Sequence, residues 1–156
     1  MKLKTKNTSN FARASEIQLS RGKINTPAFM PVGTNATVKG LTVEDLNETG
    51  SEIILGNTFH LMLRPGDNLI KNLGGLHKFI NWEKPILTDS GGFQVWSLGD
   101  LAEISEDGVK FSSPYDGKKI FMRPEDSIMI QENLGSDIIM VFDAVSYTHL
   151  TLPTSR

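Results

Sequence analysis

Two aspartates that each follow an apolar run are the first candidates for chemistry in this chain of 156 residues. Asp89 follows Ile86-Leu87-Thr88, and Asp143 follows Met140-Val141-Phe142. Active sites in parallel α/β sheets and barrels assemble at the carboxyl ends of the strands, so both side chains are expected at one shared mouth. An aspartate after an apolar run is also a common helix N-cap, and for either residue alone that alternative stays open.

The residues after Asp89 have the types needed to bind a flat ligand. Ser90 supplies a hydroxyl donor and acceptor, while Gly91 and Gly92 allow the backbone to approach a ligand closely. Phe93 offers a ring on which a base could stack. Paired glycines more often form an ordinary turn, and a phenylalanine more often belongs to a core. We therefore predict a pocket here from the whole segment and not from any single residue.

Two polar side chains are expected to support these candidates. Asn57 follows the run Ile53-Ile54-Leu55-Gly56, so its amide is expected at the same mouth, where it could orient a carboxylate. Gln94 is assigned the same supporting role. His60, close to Asn57 in sequence, is interpreted as a hydrogen-bonded structural histidine.

Four apolar runs of strand length, separated by helical signals, predict an α/β fold with buried parallel strands. Helix starts are marked at Thr42, at Pro65-Gly66-Asp67 and at Pro124-Glu125-Asp126, and glycines follow each predicted helix. The four runs are Ala28–Val32, Ile53–Gly56, Pro85–Thr88 and Asp137–Asp143.

Three segments depart from this alternation of strands and helices. Residues 2–26 predict a pair of short antiparallel strands that cap the sheet, and residues 104–122, with two glycine turns, predict inserted hairpins. Residues 145–156 show neither helical nor strand periodicity. They are interpreted as a non-native tail, which leaves one domain at residues 1–144; a natural loop is the alternative.

The composition is that of a soluble globular protein, with 38% hydrophobic and 22% charged residues. The absence of cysteine excludes disulfides and thiolate metal sites within this chain, and the three histidines lack metal-ligand spacing. No apolar run is long enough to cross a bilayer, which predicts a cytoplasmic location and no membrane partner. A net charge of −2 argues weakly against a nucleic-acid partner, unless the basic surface lies in other residues.

Taken in order, a set of motifs across nearly all of residues 8–143 resembles the tRNA-guanine transglycosylases. The motif Asp89–Gln94, with Gly92 in it and Val95-Trp96-Ser97-Leu98 after it, is more similar to the bacterial branch of the family than to the archaeal one. The motifs are Pro27–Thr34, Ile53–Leu61, Leu63–Gly66, Gly74–His77, Thr88–Leu98, Leu134–Ile138 and Met140–Asp143.

The resemblance implies the N-terminal part of a TIM-type (β/α)₈ barrel with an antiparallel β cap, too few strands being present to close the barrel. It also implies a base exchange that replaces guanine at the wobble position of tRNAs with GUN anticodons by a 7-deazaguanine, preQ1 or queuine, in queuosine biosynthesis. The implied reaction passes through a covalent enzyme-RNA intermediate. The aspartate nucleophile and the zinc ligands of the family lie outside these residues, so this segment alone is expected to be inactive. Family members act as homodimers.

The resemblance further assigns roles within this chain. Asp89 matches the general acid/base, and Asp143 matches the residue that recognises the base, where a carboxylate can accept two hydrogen bonds from adjacent N–H groups of guanine. Phe93 would stack on the base, and Ser90, Gly91 and Gly92 would shape the pocket floor. Two alternatives remain: a non-catalytic accessory relative of the family, and a barrel glycosidase that uses both aspartates.

Overall fold

The computed structural model describes residues 1–98 and 102–144. The predicted non-native tail, residues 145–156, lies outside the described residues. Among the helices of the described ranges, none has the length and apolar character needed to span a membrane.

The chain begins with an antiparallel sheet of three strands, β1 (Lys2–Ser9), β2 (Ala12–Leu19) and β3 (Gly22–Thr26), in the order β1-β2-β3. The predicted pair of strands was therefore one strand short. Every residue of β1 is exposed, and its sequence lacks the alternation of apolar and polar residues that predicts a half-buried strand. Ile24 of β3 is buried and anchors this cap sheet.

The centre of the molecule is a parallel sheet of four short strands, which confirms the predicted α/β class. The strands are β4 (Val32–Gly33), β5 (Ile54–Gly56), β6 (Ile86–Thr88) and β10 (Ile138–Ile139), arranged β10-β6-β5-β4. All three strand pairs are parallel. Each strand is shorter than its predicted run. The run Ala28–Val32 overlaps β4 only at its last residue, because Pro31 before it has no N–H to donate.

Six helices surround this sheet in the described residues. They are α1 (Val43–Glu48), α2 (Thr58–Leu63), α3 (Asp67–Asn72), α4 (Leu76–Ile80), α5 (Gly92–Leu98) and α6 (Pro124–Leu134). The predicted helices correspond to α1, α3 and α6. Thr42 closes a capping box with Asp45 at the start of α1, and Gly135 ends α6 in the left-handed conformation at φ 75°. Helices α2, α4 and α5 were not predicted.

The predicted hairpin insertion forms a second antiparallel sheet of β7 (Glu103–Ser105), β8 (Gly108–Ser112) and β9 (Lys119–Met122). Its inner face contributes Val109, Phe111 and Met122 to the main core. That core also contains Phe59, Trp82 and other buried side chains of the helices and strands. The insertion therefore packs on the same core as the parallel sheet.

A buried carboxylate connects the cap to the amino ends of the central strands. Asp137, only 2% exposed, accepts a hydrogen bond from Arg21 Nη1 at 2.8 Å and another from the backbone N–H of Ile86 at 2.9 Å. His77 Nε2 on α4 lies 3.0 Å from the second oxygen, Oδ2. Burial and the nearby Arg21 guanidinium lower the pKa of His77, and Asp137 opposes this shift without cancelling it.

Candidate active site

The two predicted aspartates lie at one pocket, at the end of the parallel sheet opposite to Asp137. Asp89 follows β6 directly, and Asp143 lies in the segment that continues from β10. The pocket has a volume of about 110 Å³. It is lined by Asp89, Ser90, Gly91, Phe93, Gln94, Met140 and Asp143. Of these, only Met140 was not predicted to be a site residue.

Three donors hold the carboxylate of Asp89. Asn57 Nδ2 donates to Oδ2 at 2.5 Å, Gln94 Nε2 donates to the same oxygen at 3.2 Å, and the backbone N–H of Thr58 donates to Oδ1 at 2.8 Å. Both predicted supporting residues therefore contact Asp89. A carboxylate has about four lone-pair sites, so three donors leave capacity for one more on Oδ1.

The contact with Thr58 also bears on the helix-cap alternative. Thr58 is the first residue of α2, and Asn57 occupies the N-cap position without making a side-chain cap bond. Asp89, directly after the neighbouring strand β6, accepts the N–H of this first helical residue, which has no partner within the helix. The carboxylate thus caps a helix, but that helix is α2 and not the one that follows Asp89 in the chain.

Ser90 connects the segment that carries Asp89 to the segment that carries Asp143. Its Oγ donates to Asp143 Oδ1 at 2.6 Å and accepts the backbone N–H of Gly92, in the first turn of α5, at 3.2 Å. Ser90 is only 3% exposed, whereas Asp143 is exposed. The serine therefore positions a carboxylate that still has acceptor capacity for a ligand.

The paired glycines satisfy two different steric requirements. Gly91 has φ 81°, in the left-handed region where side chains are disfavoured. A Cβ on Gly92 would lie 2.8 Å from the carbonyl carbon and oxygen of Asp143 and 2.9 Å from the nitrogen of Ala144. The backbone that carries Asp143 thus packs directly on the start of α5, closer than any side chain would permit.

Two aromatic residues named from the sequence have different locations. Phe93 lines the pocket and is 48% exposed. His60 packs its ring edge-on against Phe59, with centroids 5.3 Å apart, and it is not among the residues that line the pocket.

A buried glutamine behind the pocket was missed by the sequence interpretation. Gln131 of α6 is fully buried, and its Oε1 accepts hydrogen bonds from Thr88 Oγ1 and from the backbone N–H of Met140, both at 2.9 Å. Its Nε2 donates to the Met140 carbonyl at 2.8 Å and to Ser127 Oγ at 3.2 Å. Ser127 Oγ in turn donates to the Ser90 carbonyl at 2.7 Å. No sequence motif marked this network.

The described part of the chain contains no group of three histidine, aspartate or glutamate residues close enough to hold a metal ion. These residues therefore do not fit the zinc that the resemblance implies. Zinc stays a prediction for residues outside this chain.

A comparison of this sequence with known protein families agrees with the order and spacing of the site motifs. The family model described as queuine tRNA-ribosyltransferase matches residues 7–154. The chain belongs to this family. The resemblance described from the sequence is thereby confirmed.

Relatives within the queuine tRNA-ribosyltransferase family are similar along the whole described chain. The protein of that name from Pseudoalteromonas atlantica is 59% identical over 143 residues, which are 92% of this chain and 39% of the relative. The protein of the same name from Saccharophagus degradans is 58% identical over 156 residues, which are 100% of this chain and 42% of the relative. The chain thus spans about two fifths of the length of the curated relatives it matches.

Proposed function

We propose that the protein to which these residues belong exchanges guanine at the wobble position of tRNAs with GUN anticodons for a 7-deazaguanine, preQ1 or queuine, in queuosine biosynthesis. One observation carries the proposal: a pocket in which Asp89, Asp143 and the ring of Phe93 converge. Family membership supports it, because the matched relatives are named queuine tRNA-ribosyltransferase. The substrates are therefore a tRNA and a free guanine or deazaguanine base.

Base recognition is assigned to Asp143. Guanine presents two adjacent N–H donors, at N1 and at the exocyclic amine, and an ionised carboxylate can accept both. The bond from Ser90 uses one lone pair of Oδ1 and leaves the others for the base. Phe93 stacks on the base, and Ser90 and Gly91 form the floor of the pocket, while Gly92 lies behind it against the backbone of Asp143.

Proton transfer is assigned to Asp89. When the bond between the ribose anomeric carbon and guanine breaks, the leaving base needs a proton, and the incoming base must lose one before it forms the new bond. The donors from Asn57, Thr58 and Gln94 hold the carboxylate in place while leaving one acceptor position. The nucleophile that forms the covalent RNA intermediate is an aspartate supplied by residues outside this chain.

The rest of the proposal concerns the whole protein. The four parallel strands belong to a TIM-type (β/α)₈ barrel whose other strands lie in the length of the relatives that this chain does not cover. The whole protein is a cytoplasmic homodimer that binds zinc through residues of that further length. The presence of Asp89 favours the catalytic members of the family over a non-catalytic accessory relative, and nothing in the site favours a glycosidase.

Incorporation of labelled guanine into a tRNA with a GUN anticodon, by the full-length protein, tests the proposal. Asp89→Asn keeps the shape and removes the acid/base group, so the exchange rate is expected to fall by about 10²–10⁴-fold. Asp116→Asn, in the exposed loop between β8 and β9, is the matched control and should leave the rate unchanged. A wild-type protein that incorporates no label, or an Asp89→Asn variant of full activity, would contradict the proposed function.

A further inference from the structure

Gln131 occupies the junction between the two segments that carry the site. Its amide has two acceptor positions and two N–H donors, and all four are used in the structure. Two of these bonds go to the N–H and the carbonyl of the same residue, Met140, as a neighbouring β-strand would bind it. The side chain therefore substitutes for a strand partner just beyond the end of β10.

The role of Gln131 as a strand partner matters because the segment from Met140 to Asp143 has few other contacts with the sheet. The pairing of β10 with β6 comprises only Ile138 with Leu87 and Ile139 with Thr88. Met140 and Val141 are 44% and 77% exposed, so burial restrains them weakly. The contacts that hold the segment are the amide of Gln131, the hydroxyl of Ser90, the close approach to Gly92 and the partly buried packing of Phe142 on the core.

The same amide also contacts the other half of the site. Thr88, which donates to Gln131 Oε1, directly precedes Asp89. Ser127, which accepts from Gln131 Nε2, donates to the carbonyl of Ser90. One buried side chain thus connects the segment that carries Asp89 and Ser90, directly at Thr88 and through Ser127 at Ser90, with the backbone that carries Asp143.

We propose that Gln131 is a positioning residue for base recognition, setting the distance between Ser90 and Asp143 through its bonds to Met140 and Ser127. The inference rests on the proposed function, since it assumes that Asp143 binds the base. Two parallel hydrogen bonds to a planar base tolerate a displacement of only about 0.5 Å. Loss of the amide should therefore weaken binding of the free base more than binding of the whole tRNA, only one base of which enters the pocket.

The test compares two buried amides on the same helix of the full-length protein. Gln131→Met keeps the length of the side chain and removes its hydrogen bonds. Asn133→Leu is the matched control, because Asn133 is 8% exposed and donates to Asp67 on α3, away from the pocket. The probe is labelled guanine, with its Kd measured by equilibrium dialysis and its KM measured in the exchange assay.

Gln131→Met is expected to raise the Kd and KM of guanine by about tenfold or more while the KM of tRNA stays within about twofold. Asn133→Leu is expected to lower the unfolding temperature and to leave both guanine constants unchanged. A folded Gln131→Met variant whose guanine Kd lies within about twofold of wild type overturns the inference. An equal rise in the Asn133→Leu variant also overturns it, because the effect would then be a general loss of stability.

Further outcomes are also decisive. If Gln131→Met does not fold, Ser127→Ala takes its place in the test. This change removes only the bond to the Ser90 carbonyl and the contact with Gln131. A rise in guanine Kd of about two- to tenfold supports the inference, and an unchanged Kd overturns it. A wild-type protein that binds guanine without exchanging it contradicts the proposed function alone. A wild-type protein that does not bind guanine overturns both.

Discussion

Gly92 sets how closely the backbone of Asp143 approaches α5, and this contact is open to a direct test. Gly92→Ala would place a Cβ 2.8 Å from backbone atoms of Asp143, so the backbone must shift. Overpacking of this kind typically costs about 1–3 kcal/mol. We expect the unfolding temperature of the full-length protein to fall and the KM of guanine to rise, as measured by thermal unfolding and by the exchange assay.

Gly33→Ala provides the control for this change. Gly33 is also buried and has no positive φ, and a Cβ there would make only ordinary contacts of 3.5 Å or more. It should therefore change the KM of guanine little. A Gly92→Ala variant with an unchanged guanine KM would show that the contact with Asp143 does not position the carboxylate.

For single residues, the sequence predicted the candidate site where the residues are adjacent in the chain. The run from Asp89 to Gln94 and the aspartate after β10 are visible because each follows an apolar strand, and six of the seven residues that line the pocket were named in advance. Gln131 was invisible because a glutamine beside Glu132 and Asn133 is typical of an exposed helix face. Its burial follows from packing of α6 against the sheet, which no local pattern encodes.

Among elements, the contact between α4, the cap and the parallel sheet should make stability depend on pH. The pKa of His77 in the fold is lowered by burial and by Arg21, below its ordinary value of 6.5, so the unfolded chain binds more protons as the pH falls. Stability from the neutral ring is therefore fully present above pH 6.5 and is lost as the pH falls from there toward the folded pKa.

Denaturant unfolding of the full-length protein at about pH 7.5 and about pH 5.5 measures this dependence. Because other groups titrate in the same range, the useful quantity is the difference between wild type and His77→Gln. Wild type should lose more stability on acidification than the variant does. The same difference measured for His60→Gln, whose ring packs on Phe59, serves as the comparison; an equal acid sensitivity of wild type and His77→Gln would refute the prediction.

The helices show why some elements were predictable and others were not. Helices α1, α3 and α6 carry start signals in their own sequence, such as Thr42 and Pro124. The amino end of α2 is instead bonded by Asp89, 31 residues further along the chain, so no local signal marks where this helix begins. The amino end of α5 is bonded by Ser90, two residues before Gly92, and this local signal was not interpreted as a helix start.

For the whole molecule, we expect residues 1–144 in isolation to show neither a cooperative thermal transition nor base exchange. Both edge strands of the parallel sheet, β4 and β10, have an unpaired side, and large apolar residues next to them are exposed: Phe29 by 84%, Val32 by 45% and Val141 by 77%. Such edges favour association over folding. Under the proposed function, the nucleophile is also supplied by residues outside this segment.

Circular dichroism during heating and the labelled-guanine assay check this expectation, with the full-length protein measured in parallel. A cooperative transition together with exchange activity in the isolated segment would refute it. A cooperative transition without activity would show that four strands fold independently, while leaving the assignment of the nucleophile to other residues intact.

The open edge of β4 also has a consequence during synthesis on the ribosome. In a protein as long as the Pseudoalteromonas atlantica relative, the residues matched here make up 39% of the chain, and under the proposed function the strand that covers this edge lies in the remaining length. Translation of that length takes on the order of tens of seconds at ~5–20 residues per second, during which the edge has no partner strand. Throughout that interval Phe29 and Val32 lie open to other nascent chains, so the yield of active protein should depend on chaperones that bind this segment early.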